Sequence, residues 1–292
     1  MSSSSPQQAA WLPKLVIAPS FVLSLLFIYG LMAWNGYLSM SASRILPNYD
    51  FVGLQHYGAL LDSDRFRVAM TNMAVFGFCF IGGAMALGVL LAILLDQKVR
   101  GEGVLRTIYL YPMAISFIVT GTAWKWILNP GLGLQHLMHS WGLTDFQFEW
   151  LVDQDMAIYC VVIAGVWQSA GFVMALFLAA LRGIDDSIIK AAQVDGASLP
   201  RIYWRIILPS LGPVFFSTLM VVSHLAIKSF DLVMALTAGG PGYATDLPAT
   251  FMYATAFTRG QIGVGAASAT VMLATVAAIV VPYLYSELRS KR

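Results

Sequence analysis

Charge is scarce in this chain of 292 residues. Only 11% are Asp, Glu, Lys or Arg, while 58% are hydrophobic and the mean hydropathy is +0.72. Soluble domains carry roughly 25% charged residues, and so few charges cannot cover a folded surface in water. A cytosolic enzyme, a nucleic-acid binder and a disordered chain are therefore excluded, which leaves an integral membrane protein. The charges present are nearly balanced, 17 basic against 15 acidic, so no attraction to a polyanion is expected. Cysteine is almost absent: Cys79 and Cys160 both lie in long apolar runs and read as small packing thiols rather than a disulfide framework.

Catalytic patterns are missing too. There is no G-x-x-x-x-G-K-[ST] phosphate loop, no H-E-x-x-H, no C-x-x-C and no G-x-S-x-G elbow. His136 and His139 are three residues apart but read as solvated loop residues rather than a metal pair. No catalytic residue and no metal ligand is expected, and the energy for any work must come from another molecule. The first apolar run, Leu15–Tyr29, exceeds a signal-peptide core and lacks a small-residue cleavage site after it, so it is expected to stay as a span.

What is abundant is long apolar sequence. A bilayer core of ~30 Å needs about 20 apolar residues in a helix, because every backbone group must bond internally. Six runs qualify: Leu15–Leu38, Asn72–Leu95, Thr107–Leu128, Ala157–Leu181, Leu208–Leu236 and Gly263–Tyr285. The expected fold class is an all-α integral membrane protein with six transmembrane helices. Basic residues orient it. With both termini cytoplasmic, eleven of the 17 fall inside: Lys14, Lys98, Arg100, Arg106, Arg182, Lys190, Arg201, Arg205, Arg289, Lys291 and Arg292. Only Arg44, Arg65, Arg67 and Arg259 fall outside, while Lys125 and Lys228 lie within runs. The outer stretch 131–155 has four acidic and no basic residues, with Trp141, Phe146, Phe148 and Trp150 interspersed. It reads as an interfacial segment, with docking of a second protein as the alternative.

One inner loop, 182–209 (RGIDDSIIKAAQVDGASLPRIYWRIILP), is unusual. Asp185 or Asp186 can cap a short helix whose apolar side is formed by Ile188, Ile189, Ala192 and Val194. Ala191 and Ala192 leave room for another surface to approach. Gly196 can adopt the left-handed conformation that ends the helix, and Ser198 can cap a second one with Pro200 in its first turn. Such a helix is a natural handle for a partner that pushes.

The pattern K-A-A-x3-G-x9-I-x-L-P, running from Lys190 through Gly196 to Pro209, resembles the EAA loop of binding-protein-dependent ABC importers. The departure is Lys190, where the family has its name-giving Glu. Residues 52–57 (VGLQHY), 101–112 (GEGVLRTIYLYP), 124–133 (WKWILNPGLG) and 230–245 (FDLVMALTAGGPGYAT) are similar to segments of the carbohydrate-uptake permeases, in particular the maltose-type first subunit of a heterodimeric pair. The resemblance implies the ABC importer type-1 permease fold, with a tail, first helix and outer segment over residues 1–70 and a permease core over 71–286. It implies a coupling helix at about residues 186–197, with Asp186, Lys190, Ala191, Ala192, Asp195, Gly196 and Ala197 facing an ATPase subunit. The implied partners are an ATP-binding-cassette ATPase dimer, a second permease subunit and a periplasmic or lipid-anchored sugar-binding protein. ATP and magnesium would sit on the ATPase, and this chain would bind no cofactor and no nucleic acid. The implied location is the bacterial inner membrane.

Polar residues within apolar runs are costly and mark candidate substrate contacts. They are Asn72, Lys125, Gln168, His224, Lys228 and Asp231, with Trp124 and Trp167 as aromatic platforms, although Trp124, Lys125 and Trp126 are better read as snorkelling at the outer interface. The competing uses are helix–helix hydrogen bonding for Asn72 and Gln168, and a mutual i, i+3 pair for Lys228 and Asp231. The absence of an intramembrane Arg/Lys cluster favours a neutral sugar over a phosphorylated one, with glucose or mannose as the narrowest expectation from the resemblance. An ion-coupled secondary transporter is the alternative.

Overall fold

The computed structural model describes residues 6–97 and 99–290. Lys98, Lys291 and Arg292 of the inner basic set, and the side chain of Arg289, lie outside them. In chain order the helices are α1 (Pro6–Ser24), which passes through a π turn (Leu25–Tyr29) into α2 (Gly30–Ser39), then α3 (Gln55–Asp62), α4 (Asp64–Asp96), α5 (Glu102–Ala114), α6 (Phe117–Ile127) and α7 (Leu134–Ser140). There follow α8 (Ala157–Leu181), α9 (Asp186–Val194), and α10 (Leu199–Ile202), joined by a π turn (Tyr203–Ile207) to α11 (Leu208–Ser210). The chain ends with α12 (Gly212–Ile227), α13 (Phe230–Leu236), α14 (Pro248–Tyr253), a π turn (Ala254–Thr258) and α15 (Ile262–Ser290). Among the described residues there is no β-strand, only one isolated bridge between Ser41 and Phe51.

Among the described residues four helices are long and apolar enough to cross a membrane: Lys14–Ser39, Asp64–Asp96, Ala157–Leu181 and Ile262–Pro282. They correspond to four of the six expected runs. The other two runs are not single straight helices, and the count reaches six only if each bent pair is one span. The run Thr107–Leu128 turns through 102° between α5 and α6. Pro112 weakens the end of α5, Ile115 is extended at φ −88°, ψ 142°, and the Ser116 hydroxyl accepts the Val119 N–H at 3.3 Å to start α6. The fifth run bends by 72° between α11 and α12, at Leu211, where Pro213 in the first turn of α12 offers no N–H. It breaks again after Ile227. Lys228 ends α12, the Ser229 hydroxyl donates back to the Leu225 carbonyl at 2.8 Å, and the Phe230 N–H turns onto the Lys228 carbonyl at 2.7 Å.

The chain divides into two units, Met1–Asp62 with Met252–Val271, and Ser63–Phe251 with Met272–Arg292. Within the first, Asn35 on α2 donates to the Ala266 carbonyl (3.2 Å) and to Thr270 Oγ1 (3.0 Å) on α15. Within the second, α4 packs along α8, and α5 and α12 add to that pair, while α6 packs on α13. Lipid is as apolar as leucine, so helix association relies on close van der Waals contact. Small residues permit it here. A Cβ on Gly88 would overlap Val173 across the α4–α8 seam, and one on Gly171 would overlap the Tyr109 carbonyl of α5. Phe76 and Phe80 stack in the core at 5.2 Å, alongside buried Met174, Phe177, Leu232 and Leu236.

Candidate functional site

Asp185, rather than Asp186, caps α9; its carboxylate accepts the Ser187 N–H at 2.8 Å. That backbone bond, with a second bond from the Ser187 side chain, holds the Asp185 carboxyl below the usual carboxylate range. At the other end the Gly196 N–H reaches the Gln193 carbonyl (3.0 Å) and the Ala197 N–H reaches the Ala192 carbonyl (3.0 Å). This is the two-bond Schellman closure, and it requires the left-handed φ of +77° found at Gly196. Ser198 stands at the N-cap position of α10, but its side chain makes no capping bond, contrary to the sequence expectation. The apolar residues of α9 do not form one side either. Ala192 is buried and Ile189 packs against the core, whereas Ile188 and Val194 point outward, Val194 with 88% of its surface exposed. Asp186, Lys190, Ala191, Asp195 and Gly196 are also exposed, and Ala197 is half-buried. The outward surface of the loop is therefore an apolar step, Ile188–Ala191–Val194, bordered by charge.

Two contacts anchor this region to the helices. Arg182, just past α8, holds Glu102 of the first turn of α5 at 2.6 Å. Tyr203 Oη donates to Asp96 Oδ2 at 2.6 Å and receives Gln97 Nε2 at 2.7 Å. Sequence reading missed both, because each joins segments about a hundred residues apart; the acidic first turn after Gly101 was the available sign for Glu102.

The candidate substrate contacts are not gathered into one cluster. Gln168 is buried on α8, and its Nε2 donates to the Ile115 carbonyl at 2.7 Å, satisfying the group freed by the α5–α6 break. Its Oε1 has no partner among the described residues. Asn72 on α4 donates to the carbonyls of Tyr243, Ala244 and Asp246 at 3.0–3.3 Å. Trp124 meets Trp167 edge-on at 5.8 Å. His224, Lys228 and Asp231 are exposed. Lys228 and Asp231 do not share a helix, since α12 ends at Ile227 and α13 begins at Phe230, and no ion pair joins them among the described residues.

The stretch after α13 forms a tightly bonded loop. Thr237 and Thr245 join hydroxyls at 2.7 Å, and the Thr245 N–H reaches the Gly239 carbonyl at 3.1 Å. Asp246, 1% exposed, accepts Arg65 Nε at 2.5 Å and the Thr250 hydroxyl at 3.0 Å. The Arg65 guanidinium also covers the Tyr243 ring at 4.3 Å. A buried carboxylate of this kind needs more than its counter-ion, and the Thr250 hydroxyl supplies a second donor to Asp246. Near α7, His139 Nε2 bonds the Phe146 carbonyl at 2.8 Å, and no group of three metal-binding side chains occurs among the described residues.

Comparison with known proteins fits this arrangement. The model of a family described as binding-protein-dependent transport system inner membrane component matches residues 84–290. A probable ABC transporter permease protein of Pyrococcus horikoshii is 38% identical over 273 residues, covering 93% of this chain and 94% of that protein. The xylose/arabinose import permease protein XacH of Haloferax volcanii is 36% identical over 271 residues, covering 91% of this chain and 84% of that protein. The crystal structure of a bacterial ABC transporter involved in the import of the acidic polysaccharide alginate has a chain that aligns with a TM-score of 0.84 at 22% identity, covering 98% of both chains, a likeness of fold. The chain belongs to the family of binding-protein-dependent transport system inner membrane components, the permeases of ABC importers.

Proposed function

We propose that this chain is one permease subunit of an ATP-driven importer for a neutral sugar, with six spans and both termini cytoplasmic. The observation that carries the reading is α9. It is a capped, glycine-terminated helix that presents Ile188, Ala191 and Val194 outward between its charges. A surface of that kind suits the groove of an ATPase subunit, and Asp186, Lys190, Asp195 and Gly196 border it. Lys190 in place of Glu reverses the charge offered to that groove. A single α9 cannot serve both halves of an ATPase dimer, so a second permease subunit completes the assembly. A binding protein delivers sugar to the outer mouth.

The path is assigned to His224, Lys228 and Asp231, together with Gln168, Asn72 and the Trp124–Trp167 pair. What supports it is that His224, Lys228 and Asp231 are polar, exposed and free of ion pairs among the described residues, in a part of the chain where an unpaired charge facing lipid is costly. Glucose or mannose rests on overall resemblance alone, and the similarity to a xylose/arabinose permease widens the candidates to pentoses. The ion-coupled alternative needs a charged relay, and its two members, Lys228 and Asp231, lie on either side of the break between α12 and α13. The test is uptake of radiolabelled hexoses, pentoses and disaccharides into vesicles holding both permease subunits, the ATPase and the binding protein. ATP-dependent accumulation of one neutral sugar is expected. Accumulation driven by a proton or sodium gradient without ATP would overturn the reading.

A further inference from the structure

Of the four basic residues assigned to the outer side, two are already committed. Arg65 is paired with Asp246, and Arg67 lies 3.4 Å from Asp64. The other two, Arg44 and Arg259, come from distant parts of the sequence and line one cleft of about 530 Å³, with Ile45, Asn48 and Gly260 between them. Both are exposed, and among the described residues neither has a carboxylate within ion-pair reach.

The walls of the cleft are held firmly. Ser41 and Ser43 are buried and bonded to each other at 2.8 Å, and Ser43 Oγ donates to the Asn48 carbonyl at 2.7 Å. The loop closes through Ala42 N–H to Asp50 O (2.9 Å) and Val52 N–H to Met40 O (2.8 Å). The two walls are joined by the Gly263 N–H on the Ser43 carbonyl at 2.9 Å. Ile45 occupies the space a Cβ on Gly260 would need, and Gly260 has φ +67°, so only glycine brings Arg259 this close. The backbone that carries the two exposed arginines is thus held before any partner arrives, so that docking has to order only their side chains. Their planar donors match carboxylates in two-bond geometry.

We propose that the Arg44–Arg259 cleft is a docking point for acidic side chains on the surface of the importer's solute-binding protein. The proposal rests on the importer reading and on the outer placement of these segments. A neutral sugar gives two cations nothing to pair with, whereas a protein carboxylate gains from both, and the field of the cleft steers its approach.

The test uses the complete importer in lipid nanodiscs and measures the affinity of its purified binding protein at low and moderate salt. Arg44→Glu and Arg259→Glu are each expected to weaken docking by about tenfold or more and to flatten its salt dependence. Arg44→Lys and Arg259→Lys are expected to retain most of it, and Arg67→Glu, which does not line the cleft, to leave it unchanged. A Lys replacement at the matching acidic residue of the binding protein is expected to restore affinity to Arg44→Glu. Unchanged affinity in both charge reversals overturns the proposal while leaving the importer reading intact. So does unchanged docking combined with a raised KM for an acidic sugar, which would assign the cleft to substrate. If wild-type importer is not stimulated by any binding protein, both readings fall together.

Discussion

Replacing Gly196 separates backbone geometry from bulk, because no atom lies within 4 Å of where its Cβ would stand. Any effect of a side chain there comes from the φ of +77° and from what the side chain presents to a partner. An L-residue held in the left-handed region costs about 1–2 kcal/mol, which lowers the population of the closed turn by about 5–30-fold. Asparagine tolerates that region, whereas a β-branched residue suits it least. ATP-driven uptake in vesicles is therefore expected to rank Gly196→Asn near wild type, Gly196→Ala reduced several-fold and Gly196→Val lowest, at equal membrane levels. Gly196→Asp shares the geometry of asparagine but adds a second negative charge beside Asp195, so a defect in Asp without one in Asn assigns the loss to the docking surface. Wild-type uptake with Val, or Asn as damaging as Val, would refute the claim that the left-handed turn matters for coupling.

Further outcomes follow from other contacts. Gln168→Leu leaves the Ile115 carbonyl unpaired and should cost about 1–3 kcal/mol, read as a lower Tm in detergent; an unchanged Tm would count against the pinned break. Asp246→Ala strands Arg65 and should destabilise by about 3–5 kcal/mol, with the double variant Arg65→Met, Asp246→Ala less affected than the sum of the singles. Gly171→Ala forces a methyl against the Tyr109 carbonyl and should cost about 1–3 kcal/mol in thermal unfolding. The folded carboxyl of Asp185 is lowered, so its capping contribution is complete above the ordinary carboxylate pKa of ~3.9 and is lost as pH falls through the lowered value. Amide exchange at Ser187 should accelerate over that acid range in wild type and stay flat in Asp185→Asn.

The elements legible in the sequence were those set by one-dimensional signals. Ala157–Leu181 was read to the residue because a long apolar run has one solution in a bilayer, and α9 because a cap, small residues and a terminal glycine all sit within twelve positions. The bends were hidden for a different reason. Apolar composition continues across Ile115, the polar residues at Lys228 and Asp231 read as candidate contacts rather than a helix end, and hydropathy does not register a hydroxyl that caps or back-bonds, as Ser116 and Ser229 do. The Arg65–Asp246 pair and the Gln168–Ile115 bond were invisible because their partners meet only after the helices have packed. On α9 the sequence groups Ile188 and Val194 with Ile189 and Ala192, yet both point outward, because so short a helix has too few turns for periodicity to fix a face.

The corner between α5 and α6 has a mechanical consequence. Its angle is 102°, Gln168 ties its exposed carbonyl to α8, and the lower end of α5 is clasped by Arg182 beside the α9 loop. If a corner bonded in this way moved as one piece, it would work as a bell crank rather than a joint: a thrust along the axis of α5 would leave as a sweep across the axis of α6.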